Sequence, residues 1–116
     1  MAQSPFRFKK FSVEQAGAAH PVGTDGVLLG AWAEVEGCRH MLDIGTGTGV
    51  VALMLAQRST AAASILALDI HPPSVALARG NFAASPWADC LEVLEMPVQD
   101  YARNIAPQFN LIVSNP

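Results

Sequence analysis

Asp43 stands two residues before the first of three alternating glycines, Gly45, Gly47 and Gly49, and a second carboxylate, Asp69, follows 20 residues after the last of them. Glycine has no Cβ, so a backbone built this way turns tightly and lets a ligand approach where any side chain would collide. A helix that starts directly after such a loop offers its free N-terminal amides to the same ligand. A nucleotide or nucleoside-like molecule is implied, and the spacing narrows which one. The dinucleotide fingerprint G-x-G-x-x-G needs glycine at position 50, where this chain has Val50. A phosphate-cradling P-loop ends in Gly-Lys-Ser/Thr, and no lysine occurs after Lys10. Asp43 would repel a pyrophosphate but suits the ammonium group of a methionine moiety, directly or through water. S-adenosylmethionine is therefore favoured over NAD, with Asp43, Gly45, Thr46, Gly47 and Gly49 around it. Asp69 is placed to accept protons from both ribose hydroxyls. Ile70 is then set beside the adenine face, and Asp100, with backbone groups of Val98 and Gln99, beside the adenine amino group.

Each of these residues also has a purely structural reading. Asp43 could order its own loop, Asp69 could cap the next helix, and helix capping explains Asp100 as well as ligand contact does. The three glycines between two carboxylates are harder to explain without a ligand. Trp87 is expected to pack, and His20, His40 and His71 lack metal-ligand spacing. No metal site is predicted.

These groups must be positioned by elements whose signals alternate between strand and helix from His40 onward, the pattern of a parallel sheet with right-handed crossovers. Strands are predicted at residues 41–44, 65–70, 91–94 and 109–114, and helices at 50–58, 72–84 and about 101–105. The helix at 50–58 is apolar almost all round and so belongs against the sheet. Val98, Gln99 and Asp100 are expected in a loop. In an open parallel sheet, ligands bind at the carboxyl ends of the strands, where every polar signal above falls. Before the first strand, Phe6-Arg-Phe-Lys-Lys-Phe11 has the alternation of a half-buried strand or extended arm, and Thr24 or Asp25 could cap a short helix over residues 27–33.

Composition sets the outer bounds. With 116 residues, 51% hydrophobic and 15% charged, one domain is expected, and a net charge of −3 provides no global attraction for a polyanion. Any nucleic-acid contact must be local. Cys38 and Cys90 form no C-x-x-C pair and are expected as reduced, buried thiols. No apolar run approaches the ~20 residues of a membrane span, so a cytoplasmic protein is expected. The stop at Pro116, directly after a strand signal, looks like a truncation.

The final residues carry a resemblance. Phe109-Asn-Leu-Ile-Val-Ser-Asn-Pro116 resembles the start of the Asn-Pro-Pro-Tyr motif of methyltransferases that act on planar amino nitrogens, and residues 42–49, LDIGTGTG, resemble their first motif. FRFKKF (6–11), VGTDGVLLGAWA (22–33), ALMLAQR (52–58) and SPWAD (85–89) are similar to the bacterial tRNA(Val) adenine-N6 methyltransferase family over almost the whole chain. The resemblance implies an α/β, Rossmann-like class I fold, with a parallel sheet of strand order 3-2-1-4 truncated after strand four. Residues 1–39 would form an arm and short helix covering the cofactor site, and residues 40–116 the S-adenosylmethionine-binding half-domain. It further implies methyl transfer to the exocyclic N6 of an adenine in tRNA, beside the anticodon. The Asn115 side-chain oxygen and the Pro116 carbonyl would accept the two N6 hydrogens, Thr24 and Asp25 would fold over the methionine end of the cofactor, and Arg7, Lys9 and Lys10 could meet tRNA phosphates. The second proline and the tyrosine that stacks on the flipped base are absent here, so the chain is expected to be inactive alone, with an exposed strand-four edge prone to self-association. An N5-glutamine protein methyltransferase shares the motif and is the nearest alternative. A non-catalytic S-adenosylmethionine-binding module and an NAD-dependent oxidoreductase are the others.

Overall fold

A computed structural model of the chain describes residues 4–60, 62–104 and 109–115. The aromatic-basic arm is not one strand. It folds back as two short strands, β1 (Phe6–Arg7) and β2 (Ser12–Val13), paired antiparallel with Phe6 opposite Val13. The apolar members explain the reversal: Phe8 stacks on Phe11 at 4.5 Å, Phe11 meets the edge of Trp87 at 5.4 Å, and Val13 is fully buried. Arg7, Lys9 and Lys10 are left exposed.

Helix α1 (Thr24–Trp32) starts three residues earlier than the sequence suggests, because Gly23 in extended conformation serves as N-cap without any side-chain cap bond. Thr24 and Asp25 are thus inside the first turn, where a carboxylate suits the positive end of the helix dipole. Strand β3 (His40–Ile44), helix α2 (Val50–Arg58), strand β4 (Ser64–Asp69), helix α3 (Pro72–Ala83), strand β5 (Leu91–Glu95), helix α4 (Val98–Asn104) and strand β6 (Leu111–Ser114) follow. Val98, Gln99 and Asp100, expected in a loop, are the first turn of α4. Pro97 both ends β5 and opens this helix, its carbonyl accepting the amides of Asp100 and Tyr101.

The four long strands are parallel, in the order β5-β4-β3-β6. That is the 3-2-1-4 order expected. Side chains alternate across the sheet and both faces are covered, as a parallel sheet requires. Met41, Ile65, Ala67, Val93 and Val113 pack with α2 and α3, whereas Leu42 and Leu68 pack on the opposite side with Tyr101 of α4. Register then builds the ligand edge: Ile44 lies opposite both Leu68 and Ser114, so the three strands next to one another end at one level. The glycine loop, Asp69 and Asn115 all leave the sheet there.

Two close approaches fix the helices on this frame. A Cβ at Gly30 would lie 2.6 Å from the Met54 sulfur, which brings α1 against α2, and Arg58 adds a 2.8 Å bond from its guanidinium to the Gly30 carbonyl. Gly49 has φ +87°, and its missing Cβ would lie 2.6 Å from Cε1 of Phe82 on α3. Both cysteines are free but only half-buried, because each lies in the turn that precedes a strand rather than within the core.

Candidate functional site

At the shared strand ends lies a cavity of about 640 Å³, lined by Asp43, Gly45, Thr46, Gly47, Thr48, Asp69, His71, Ser74 and Asn115 on the sheet side and by residues 19–26 on the other. It is built from the loop outward. The amides of Gly45 and Thr46 both donate to the Leu68 carbonyl, at 2.8 and 3.0 Å, so the loop is stitched to the end of β4. Asp69 continues the stitch: one carboxylate oxygen accepts the Gly47 amide at 2.8 Å and the other the His71 amide at 2.9 Å. Each oxygen keeps a further acceptor site. The structural and ligand-binding readings of Asp69 are therefore compatible.

The glycines divide into two kinds. Gly45 and Gly47, at φ +71° and +57°, have nothing within 4 Å of where a Cβ would stand, so the space above them is open to a ligand. Gly49 is turned the other way, against Phe82, and serves helix packing instead of ligand approach. Asn115 lines the cavity, with its side-chain nitrogen 3.2 Å from the Cβ position of Gly26, so the start of α1 and the end of β6 are in contact. Thr24 and Asp25 also line the cavity. Ile70, Gln99 and Asp100 are not among its lining residues. All three are exposed, and Asp100 forms a 3.8 Å ion pair with Arg103. Pro116 lies outside the described residues.

The family model described as "Methyltransferase small domain" matches residues 23–116, which include every strand of the sheet and the whole glycine loop. The chain belongs to that methyltransferase family. Among curated relatives, it is 53% identical to a tRNA1(Val) (adenine(37)-N6)-methyltransferase from Bacteroides thetaiotaomicron, across 100% of this chain and 48% of the relative. It is 52% identical to the protein of the same name from Aeromonas salmonicida, across 97% of this chain and 47% of the relative. The chain spans about half the length of the curated relatives it matches. Among solved structures, the SAH-bound methyltransferase PaMTH1 of Podospora anserina superposes with TM-score 0.66 at 25% identity, covering 78% of this chain and 39% of that one. An O-methyltransferase from Bacillus cereus in complex with SAH gives TM-score 0.68 at 24% identity over 84% and 46%, a likeness of fold.

In this methyltransferase-family site the most perturbed group is Asp43. Its side chain is 1% exposed, and burial pushes its pKa from 3.8 up to about 7, against the lowering effect of bonds from the Thr46 hydroxyl at 2.7 Å and the Ala52 amide. The negative charge of Asp69 raises it further. Asp43 thus satisfies an orphan amide in the first turn of α2 while it faces the cavity.

Three side chains that build the site escaped the sequence reading. His71 is the N-cap residue of α3 and its ring lies 2.8 Å from the Ser74 hydroxyl, both on the cavity wall. The Pro72-Pro73 pair that marks the helix start was the available signal for them. Residues 19–23 fall within the 1–39 cover expected from the family resemblance. Asn81, 4% exposed on the core face of α3, bonds to Thr48 in the loop and to Glu14 in the arm. A polar residue in the stripe of Val75, Ala78 and Phe82 was its signal. Among the described residues, no group of three or more His, Cys, Asp or Glu side chains is placed to hold a metal, and no helix is long and apolar enough to cross a membrane.

Proposed function

We propose that this chain binds S-adenosylmethionine in the cavity at the ends of β3, β4 and β6 and forms the cofactor-binding part of an enzyme that methylates the N6 amine of an adenine in tRNA. The observation that carries the reading is the convergence of Gly45, Gly47, Asp43, Asp69 and Asn115 on one cavity of about 640 Å³, within the usual range for a cofactor pocket. The residues fit the group: two cradle glycines open onto free space, one carboxylate has spare acceptor sites for ribose hydroxyls, and a second, buried carboxylate suits an ammonium ion. Ile70, exposed directly after Asp69, provides an apolar surface for adenine, and Gln99 and Asp100 meet its amino group. Residues 1–39 act as the cover and residues 40–116 as the binding part.

S-adenosylmethionine, when bound, supplies a methyl group made electrophilic by its sulfonium. Asn115 accepts an N6 hydrogen through its side-chain oxygen, holds the amine in line and disperses the positive charge that grows on it. The Pro116 carbonyl takes the second hydrogen. Thr24 and Asp25 close over the methionine end. The exposed Arg7, Lys9 and Lys10 meet tRNA phosphates, contacts that orient without reading sequence. The acceptor class rests on the names of the relatives, and a cytoplasmic location follows from a tRNA substrate. The edge of β6 carries Ile112, 57% exposed, and is the surface through which copies of the chain would associate.

Calorimetry with S-adenosylhomocysteine and with NAD tests the cofactor. Binding of the first alone is expected, and binding of NAD alone sinks the reading. Incubation of unmodified tRNA with S-adenosylmethionine and a protein carrying this chain at the relatives' full length, followed by nucleoside analysis, tests the acceptor. N6-methyladenosine is the expected product, whereas methylation of a glutamine-containing protein substrate instead would transfer the chain to the N5-glutamine class.

A further inference from the structure

A chain of hydrogen bonds joins the glycine loop to the opposite wall of the cavity through two side chains, Asn81 and Gln15, that do not line it. It starts at Thr48, whose carbonyl accepts from the Asn81 side-chain nitrogen at 2.8 Å. The same nitrogen donates to the Glu14 carbonyl at 3.0 Å, and the Asn81 oxygen accepts the Glu14 amide at 2.8 Å, so this side chain pairs with the arm as a neighbouring strand would. One residue on, Gln15 opens a turn closed by the Ala18 amide on its carbonyl at 3.0 Å. Its side chain spans that turn: the Oε1 accepts the Val22 amide at 3.0 Å, and the Nε2 donates to the Ser4 carbonyl at 2.8 Å. Val22 lies within the segment that walls the cavity opposite the loop.

We propose that Asn81 and Gln15 are positioning residues that tether the cofactor-covering segment, residues 19–26, to the glycine loop and so set the width of the cavity between them. Neither side chain is among those lining the cavity. The tether has two anchors of different kind. Asn81 is buried beside Phe82, and the two grip consecutive loop residues: Asn81 takes the Thr48 carbonyl, and Phe82 fills the space beside Gly49. Gln15 is half-buried, and its bonds reach only the backbone of the arm and of the covering segment. Phe11 and Val13 hold the arm in the core whether or not Gln15 is present. The two roles, keeping the arm folded and aiming the cover, are therefore separable.

The proposal rests on the cavity being the cofactor site, and the test keeps the two ideas apart. Gln15→Ala removes both the acceptor for Val22 and the donor to Ser4, whereas Gln15→Glu keeps an acceptor oxygen for Val22 and loses only the donor. Each is compared with the parent chain by hydrogen exchange at the Val22 amide, by urea denaturation, and by calorimetry with S-adenosylhomocysteine. Gln15→Ala is expected to lose protection at Val22 and to weaken S-adenosylhomocysteine by about threefold to tenfold, the worth of one modest hydrogen bond, beyond any shift in urea midpoint that it shares with Gln15→Glu through the lost Ser4 bond. Gln15→Glu is expected to restore Val22 protection and most of the affinity. Asn81→Leu, if it folds, should free Glu14 and Val22 amides together. Affinity that is unchanged in Gln15→Ala, or that falls only in step with stability, overturns the tether. If the parent chain takes up no S-adenosylhomocysteine, the cofactor reading fails, and the tether stands or falls on Val22 exchange alone.

Discussion

Gly49→Ala separates the packing glycine from the ligand-facing ones. The substituted residue would keep φ near +87°, the left-handed region, at about 1–2 kcal/mol for an L-residue. Its Cβ would stand 2.6 Å from Cε1 and 3.1 Å from Cζ of Phe82, a ring 3% exposed in the core. Relief requires the ring or α3 itself to shift, which adds the roughly 1–3 kcal/mol typical of overpacking. Together they give about 2–5 kcal/mol, a large share of the ~5–15 kcal/mol that holds most domains folded. In urea denaturation the midpoint should fall by roughly 1–3 M. Gly47→Ala carries only the strain, since nothing lies within 4 Å of its Cβ, and should lose S-adenosylhomocysteine binding more than stability. Phe82→Leu placed in the Gly49→Ala background should recover part of the loss, and a double-mutant cycle measures how much. Equal destabilisation at positions 47 and 49, or no coupling between 49 and 82, refutes this division of labour.

Asp43 predicts two pH effects. Its folded pKa of about 7 lies above the 3.8 of the free group, so the folded chain binds more protons and stability falls as pH rises from 3.8 to about 7, by at most about 1.4 kcal/mol per unit. Asp43→Asn should flatten that slope in denaturation curves measured across this window. If Asp43 meets the ligand ammonium, binding favours the ionised form, and calorimetry should find S-adenosylhomocysteine about tenfold tighter at pH 8 than at pH 6. An identical profile in Asp43→Asn would assign the effect elsewhere. Asp69→Asn leaves either the Gly47 or the His71 amide without its acceptor, and should weaken S-adenosylhomocysteine by about tenfold or more with a stability loss of about 1–3 kcal/mol. Gly30→Ala should cost about 1–3 kcal/mol, because its Cβ would lie 2.6 Å from the Met54 sulfur and 2.8 Å from Met54 Cβ, and Met54→Ala in the same chain, which removes the sulfur but keeps the Cβ, should restore melting behaviour only in part.

The parallel sheet was legible because strands buried on both faces announce themselves as apolar runs, and the crossovers have one hand, whereas its order came only with the family resemblance. Helix α2 matched residue for residue, since its nine residues are bounded by Gly49 and by the polar end at Gln57 and Arg58. Asp43, Gly45, Gly47 and Asp69 came together as expected because they lie at strand ends, where sequence position fixes spatial position to within a residue. What stayed hidden was long-range. The β1–β2 pairing, the Asn81 bridge across 67 residues and the Gly30 contact with Met54 depend on which helix lies beside which, and no local period encodes that. The contact of Gly49 with Phe82 stayed hidden for the same reason: a glycine facing open space and one facing a phenylalanine look alike until the neighbouring helix is in place. The first turn of α4 was missed because Pro97 ends a strand and starts a helix with one ring.

The contact between Gly26 and the Asn115 amide bears on how such proteins can diversify. Helix α1 walls one side of the cavity and β6 leads to Asn115 on the other, and the Cβ position of Gly26 lies 3.2 Å from the Asn115 side-chain nitrogen. A Cβ at position 26 makes the Asn115 amide give by a few tenths of an ångström, and a larger side chain at either position asks for more. A grafted β6 segment with a larger residue at position 115 would therefore need a matching first turn of α1, so the two segments are best exchanged as a pair.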